Sequence, residues 1–182
     1  MADGDNPFWD FSCGLYGKPG VAEACLMLQD AHGLDVNVLL FCCWAGWRGQ
    51  RLQPGQVDLL LATVAPWHRE VVRPLRGVRC WMKTQDMLPA DQAEALRQEI
   101  KRQELEAERL EQAALHDALP LDAGDPSPAA AVANLAAYLT RMGCTPGVAA
   151  VAGLSAMLVA MFGEDTLHPL DAVRLLDERF AG

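Results

Sequence analysis

The sequence predicts an all-α protein, a compact multi-helix bundle with a long charged helix and an Ala-rich C-terminal helical segment. Three observations predict it. Asp35 to Trp47 is apolar apart from its capping acid and Asn37, so it must be wrapped by other elements. From Pro89 to His116, apolar and small residues recur at spacings of three and four. The composition, 51% hydrophobic and 21% charged with two Tyr among many Ala and Leu, favours helix over sheet and excludes disorder throughout.

The elements follow in order. Asp5 or Asn6 can cap a first helix opened by Pro7, with Phe8, Phe11, Ser12, Leu15 and Tyr16 near one face. A second is expected from about Pro19 to Ala31, with Val21, Cys25, Leu26, Leu28 and Gln29 on its inner side and Gly33 as its left-handed cap. Asp35 caps the apolar helix, which should run to about Gly49. After the turn at Gln53-Pro54-Gly55, the spacing of Val57, Leu60, Leu61 and Val64 predicts a fourth helix. Pro66 removes a donor and restricts Ala65, so a break or kink is expected there, then a helix from about Pro66 to Lys83 that Pro74 can bend.

In the long segment, Ala93, Leu96, Ile100, Gln103, Ala107, Leu110 and Ala114 form a coiled-coil-like seam, and the remaining surface is dense in Glu and Arg. An amphipathic helix laid on its own domain accounts for it, with a homodimer through residues 93–114 as the alternative. Pro120, Gly124, Pro126 and Pro128 mark a linker over 118–128, dividing a core domain, 1–117, from a helical segment, 129–182. In that segment Ser127 can cap Pro128 to Met142, Thr145 can cap Pro146 to Phe162, and Pro169 opens a last helix through Phe180. Small residues there, among them Ala133, Ala137, Ala152 and Gly153, permit close helix contacts.

The net charge of −9 is unevenly placed: residues 1–85 hold eight basic and eight acidic side chains, residues 86–182 seven and sixteen. No export signal is legible at the acidic N-terminus and no apolar run reaches bilayer length, so the expected setting is the cytoplasm, without a membrane span. The six cysteines show no Cys-x-x-Cys pair and no His at ligand spacing; they are expected as free thiols in the core, with no metal or cofactor.

Phosphate-binding glycine loops, zinc helices and calcium loops are missing by spacing, and Gly153-Leu154-Ser155-Ala156-Met157 lacks the second glycine of a nucleophile elbow. A basic run is the better candidate site. Arg69, Arg73, Arg76 and Lys83 should share a helix face, with Arg79 close by and Trp67 and Trp81 flanking. Such a stripe can take phosphate, carboxylate or an acidic protein segment, whereas nucleic acid would be repelled by the acidic remainder. Ranked before any partner is neutralisation within the chain by the acidic helix over 91–111, through Glu104, Glu108 and Glu111. His68 reads as a structural or surface histidine, acid/base work requiring a converging partner such as Glu70 or a distant acid. Asn37 must find hydrogen bonds if buried, most simply by bridging to a neighbouring helix; with Trp9 and Trp67 it can also border an apolar ligand pocket.

The run Phe8-Trp9-Asp10-Phe11-Ser12, Leu15-Tyr16, Pro19-Gly20-Val21, Cys25-Leu26, Leu28-Gln29, Gly33-Leu34-Asp35-Val36-Asn37 and Leu39-Leu40-Phe41 resembles a family of small uncharacterised proteobacterial proteins. Trp67, Val71-Val72-Arg73-Pro74-Leu75-Arg76 and Glu104-Leu105-Glu106-Ala107-Glu108 extend the likeness over roughly residues 7–113. The resemblance implies a bacterial cytoplasmic setting and assigns no activity or catalytic residue. The functional expectation is therefore a non-enzymatic module that binds an acidic protein segment or anionic ligand through the basic face. The alternative is a small-molecule enzyme or carrier with an aromatic pocket, using His68 or Arg73 on an anionic substrate.

Overall fold

The structure, a computed structural model, describes residues 6–87 and 89–180. Among these residues every regular element is helical: α1 (Pro7–Tyr16), α2 (Val21–His32), α3 (Val36–Trp47), α4 (Pro54–Trp67), a π-helical turn (His68–Val72), α5 (Arg73–Met82), α6 (Ala90–Ala118), α7 (Pro128–Arg141), α8 (Val148–Phe162) and α9 (Pro169–Phe180). No helix of the described residues is long and apolar enough to cross a membrane.

Local chemistry sets most of the boundaries. Asn6 Oδ1 accepts from the backbone N–H groups of Phe8 and Trp9 at 3.1 and 3.3 Å, capping α1; the alternative cap, Asp5, lies outside the described residues. Gly33 closes α2 in the left-handed region at φ 65°, where a side chain would strain the backbone. Asp35 Oδ1 caps α3 by accepting from Asn37 N at 2.8 Å, and Ser127 Oγ caps α7 by accepting from Ala130 N at 3.2 Å. Thr145 does not cap α8, which begins after Gly147 without a side-chain cap.

α3 is the centre of the molecule, with Val38 to Ala45 all buried. Phe8 of α1 meets Phe41 edge-on at 5.1 Å and stacks on Trp44 at 5.2 Å. α7 runs along the other side of α3, α2 lies along α8, and α9 packs on α7 and α8. One continuous apolar cluster joins Phe8, Leu28, Phe41 and Leu60 with Leu135, Leu154 and Leu176, so the core extends across the 118–128 connection into the last three helices. α3 and α7 touch at Gly46: a Cβ there would stand 2.4 Å from the Ala131 Cα. Ala-rich composition thus acts through backbone approach, and Asn134 of α7 fixes the exit from α3 by donating to the Cys42 and Gln50 carbonyls and accepting from Leu52 N at 2.8 Å.

Two expectations are corrected. Of the break or kink expected at Pro66, the break does not occur: α4 passes through it to Trp67, and the irregularity falls in the next five residues, where Arg73 N bonds to the His68 carbonyl five residues back. The wider turn directly precedes Pro74, whose ring would press on a carbonyl in regular α geometry. On α6, the seam is not the inner face. Of the seam, Leu96, Gln103, Leu110 and Ala114 are exposed and only Ala107 is buried, whereas Glu104, Glu111, Gln112 and Leu115, off the seam, are buried with it against α1, α3, α4 and α5. The long helix lies on its own domain and turns part of its acidic surface inward.

Candidate functional site

The inward acids of α6 define the site. Glu104 receives the Arg79 guanidinium as a two-point fork, with Nη2 donating to Oε1 at 2.9 Å and Nε donating to Oε2. Arg76 donates to Asp30 Oδ1 at 2.9 Å and stands 4.0 Å from Glu104 Oε1. One turn on, burial and then the negative charges of Glu104 and Glu111 push the Glu108 carboxyl up to about 7, the nearby Arg76 and Arg79 only partly offsetting them.

Further along, Glu111 is fully enclosed. Its Oε2 accepts from Asn37 Nδ2 at 2.7 Å, while Asn37 Oδ1 accepts from Gln112 Nε2 at 2.8 Å. Glu111 Oε1 faces His68 Nδ1 at 3.3 Å, and the same nitrogen lies 3.1 Å from Asp35 Oδ2. The side chains of His68, Asp35 and Glu111 are 14%, 9% and 0% exposed. Burial and then the Glu111 charge raise the Asp35 carboxyl to about 7, against the lowering effects of His68 and the Asn37 N–H. Burial works against a charged His68, yet its contact with Glu111 and the Asp35 charge outweigh that and raise its pKa. The Tyr138 hydroxyl anchors Asp35 from behind, accepting from its N–H at 2.8 Å and donating to its carbonyl at 3.2 Å.

A cavity of about 550 Å³ opens beside this network, between α1, α2, α3, α5 and α6. Trp9, Tyr16, Leu26, Val36 and Leu40 contribute apolar lining; Arg76, Arg79, Lys101, Glu104 and Glu108 contribute charge. Asn37 and Gln112 belong to the lining and to the buried network, so they connect cavity and carboxylates. Ser12 Oγ and Gln112 Oε1, on two lining residues, are buried without a hydrogen-bond partner.

The residues singled out from sequence are divided by this geometry. Asn37 and His68 come together through Glu111; Arg76 borders the cavity. Trp67 donates from Nε1 to the Ala107 carbonyl at 3.0 Å and is not part of the cavity lining. Arg69 pairs with its neighbour Glu70 at 2.5 Å, and Arg73 and Lys83 are exposed. The π turn sets Arg69 apart, since Arg69 lies inside it and so does not keep helical register with Arg73 and Arg76. Asp35 was legible only as a cap; Glu104, Glu108 and Glu111 were legible as acids that could answer the basic run, as Glu104 does for Arg76 and Arg79, but the burial of Glu104 and Glu111, the contact of Glu111 with His68 and Asn37, and the place of Gln112 were missed. Their signal was present as a stripe at 104, 107, 108, 111, 112 and 115, which matches a helix face once acids are admitted to it.

Fold and site together define an all-α bundle with a buried carboxylate–imidazole cluster beside an amphipathic cavity. The chain belongs to DUF2390, a protein family of unknown function, whose sequence model matches residues 7–115, the stretch from α1 to near the end of α6. No curated protein and no solved structure matches the chain.

Proposed function

We propose that this chain is a cytoplasmic, non-enzymatic binding protein for an amphipathic anionic small molecule, held in the cavity between α1, α2, α3, α5 and α6. The observation that carries the reading is the lining of that cavity, where Trp9, Tyr16, Leu26 and Leu40 share the space with Arg76 and Lys101. At about 550 Å³ it has the size of a small-ligand site, and a mostly apolar lining with a few placed polar groups is what such sites need. An apolar or aromatic body would displace water from Trp9 and Leu40, while a carboxylate or sulfonate would meet the guanidinium of Arg76. Ser12 Oγ and Gln112 Oε1 would gain the partners they lack.

Native mass spectrometry of the purified protein, followed by titration with the aromatic sulfonate anilinonaphthalene sulfonate, tests this. A co-purifying small molecule, or saturable fluorescence weakened about tenfold in Arg76→Ala and lost in Leu26→Trp, is the expected outcome. Equal fluorescence in all three proteins with no co-purifying ligand overturns it.

A second reading, capture of an acidic protein segment, is favoured by the outer face of α5, where Val78 and Trp81 are exposed between Arg73 and Lys83. Arg73→Glu with Lys83→Glu should abolish a pull-down partner while leaving helical circular dichroism intact; unchanged capture removes it.

A further inference from the structure

We propose that Asp35, His68 and Glu111 bind one divalent transition-metal ion of the zinc, ferrous or manganous class. Three separate elements deliver these groups: the cap of α3, the first residue of the π turn and the C-terminal third of α6. His68 Nδ1 lies 3.1 Å from Asp35 Oδ2 and 3.3 Å from Glu111 Oε1, and the three ligand atoms fall within 4.8 Å of one another. Donors bound at about 2.0–2.2 Å to a shared zinc ion stand roughly 3.0–3.5 Å apart, so both N···O separations suit ligands of one ion.

The surrounding bonds prepare the same three atoms. Asp35 Oδ1 is held by Asn37 N and Glu111 Oε2 by Asn37 Nδ2, which leaves Oδ2 and Oε1 turned to the imidazole. Outer hydrogen bonds of this kind orient carboxylate ligands. Glu111 Oε1 and His68 Nδ1 are buried and neither has a hydrogen-bond partner, although their residues are otherwise tied into the core. A proton serves the arrangement less well than an ion. Nδ1 carries at most one hydrogen and can direct it at one oxygen, so a second proton, shared between the Asp35 and Glu111 carboxyls, is needed to do what one ion does. A dication bonds all three lone pairs and balances both carboxylates. One imidazole nitrogen with two carboxylate oxygens favours zinc, iron or manganese over the all-oxygen preference of calcium and magnesium. A π turn at His68 fits a place where regular helix geometry has been given up to aim a side chain.

The test uses full-length protein without a histidine tag, stripped with chelator and then dialysed against zinc or manganous ion, with elemental analysis and thermal unfolding as readouts. Expected are one bound ion per chain, a melting temperature raised by the ion, and loss of both in His68→Ala and Glu111→Gln, with Cys13→Ser and Cys80→Ser unaffected. Folded wild-type protein that retains no ion and shows no thermal shift overturns the proposal. Retention of the ion by both ligand variants also overturns it, since the site would lie elsewhere. Should the variants fail to fold, imidazole resonances of the wild-type protein decide: zinc must shift the His68 signal, and an unshifted signal refutes the site. Neither readout requires the cavity ligand.

Discussion

α3 and α6 are the two helices that most define this molecule, and they enter its interior with opposite chemistry. Beyond Asn37 in its first turn, α3 brings Phe41, Cys42, Cys43 and Trp44, an apolar stretch whose burial is a matter of packing. α6 brings Glu104, Glu111 and Gln112, groups that cost free energy to desolvate unless each is answered by a partner. The partners are Arg79, Asn37 and His68, contributed by α5, α3 and the π turn. An apolar helix can pack in many ways that conserve volume, whereas α6 is tied to one rotational setting by the groups that meet its acids. The difference sets the buried polar network on the α6 side.

The largest effect should come from the apolar side of this comparison. Phe41→Ala, at a fully buried position in contact with Phe8 and Trp44, should lower unfolding free energy by about 3–5 kcal/mol in urea denaturation. Breaking the polar side through Asn37→Leu keeps volume but strands Glu111 Oε2 and Gln112 Nε2, and should lower stability by about 2–3 kcal/mol. A loss below that of an exposed control would mean the buried amide network contributes nothing.

Glu108 sharpens the comparison through pH. Its carboxyl is raised to about 7 from the ordinary 4.5, so the folded state holds this proton more tightly than the unfolded chain. Stability from this group is complete below the ordinary value and is lost as pH rises to about 7, above which the loss is constant. Glu108→Gln should therefore be more stable than wild type by about 1–2 kcal/mol at pH 8, the gap closing as pH approaches 4.5. The smallest effect belongs to the outer row of α6: Leu96→Ser, at an exposed residue, should change monomer stability by less than about 0.5 kcal/mol. Sedimentation of the same pair addresses self-association, since conversion of a wild-type dimer to monomer would make this row an interface.

How much was legible in the sequence follows the same division. α3 could be read because an apolar run has one outcome, burial, and Asn6, Gly33, Asp35 and Ser127 mark helix ends by local hydrogen bonding or backbone freedom. The inner face of α6 could not, because hydrophobic periodicity ranks Leu96 and Leu110 as inward and Glu111 as outward; only contact with His68 and Asn37, more than thirty residues away in sequence, reverses that order. Arg69 departs from the register of the basic stripe for a related reason. Its spacing assumed regular α geometry through residues 68–72, and a π turn leaves no mark in composition.

That turn makes the chain a counting device. Each residue advances a regular helix by about 100°, so the five residues from His68 to Val72 set the rotational phase in which α5 is presented to α6. Forcing all five into regular α geometry in place of the wider turn would rotate α5 further and swing Arg76 and Arg79 away from Glu104, leaving that carboxylate buried without its cation. In this family member, the length of a single turn decides which residues can meet, before any side chain is chosen.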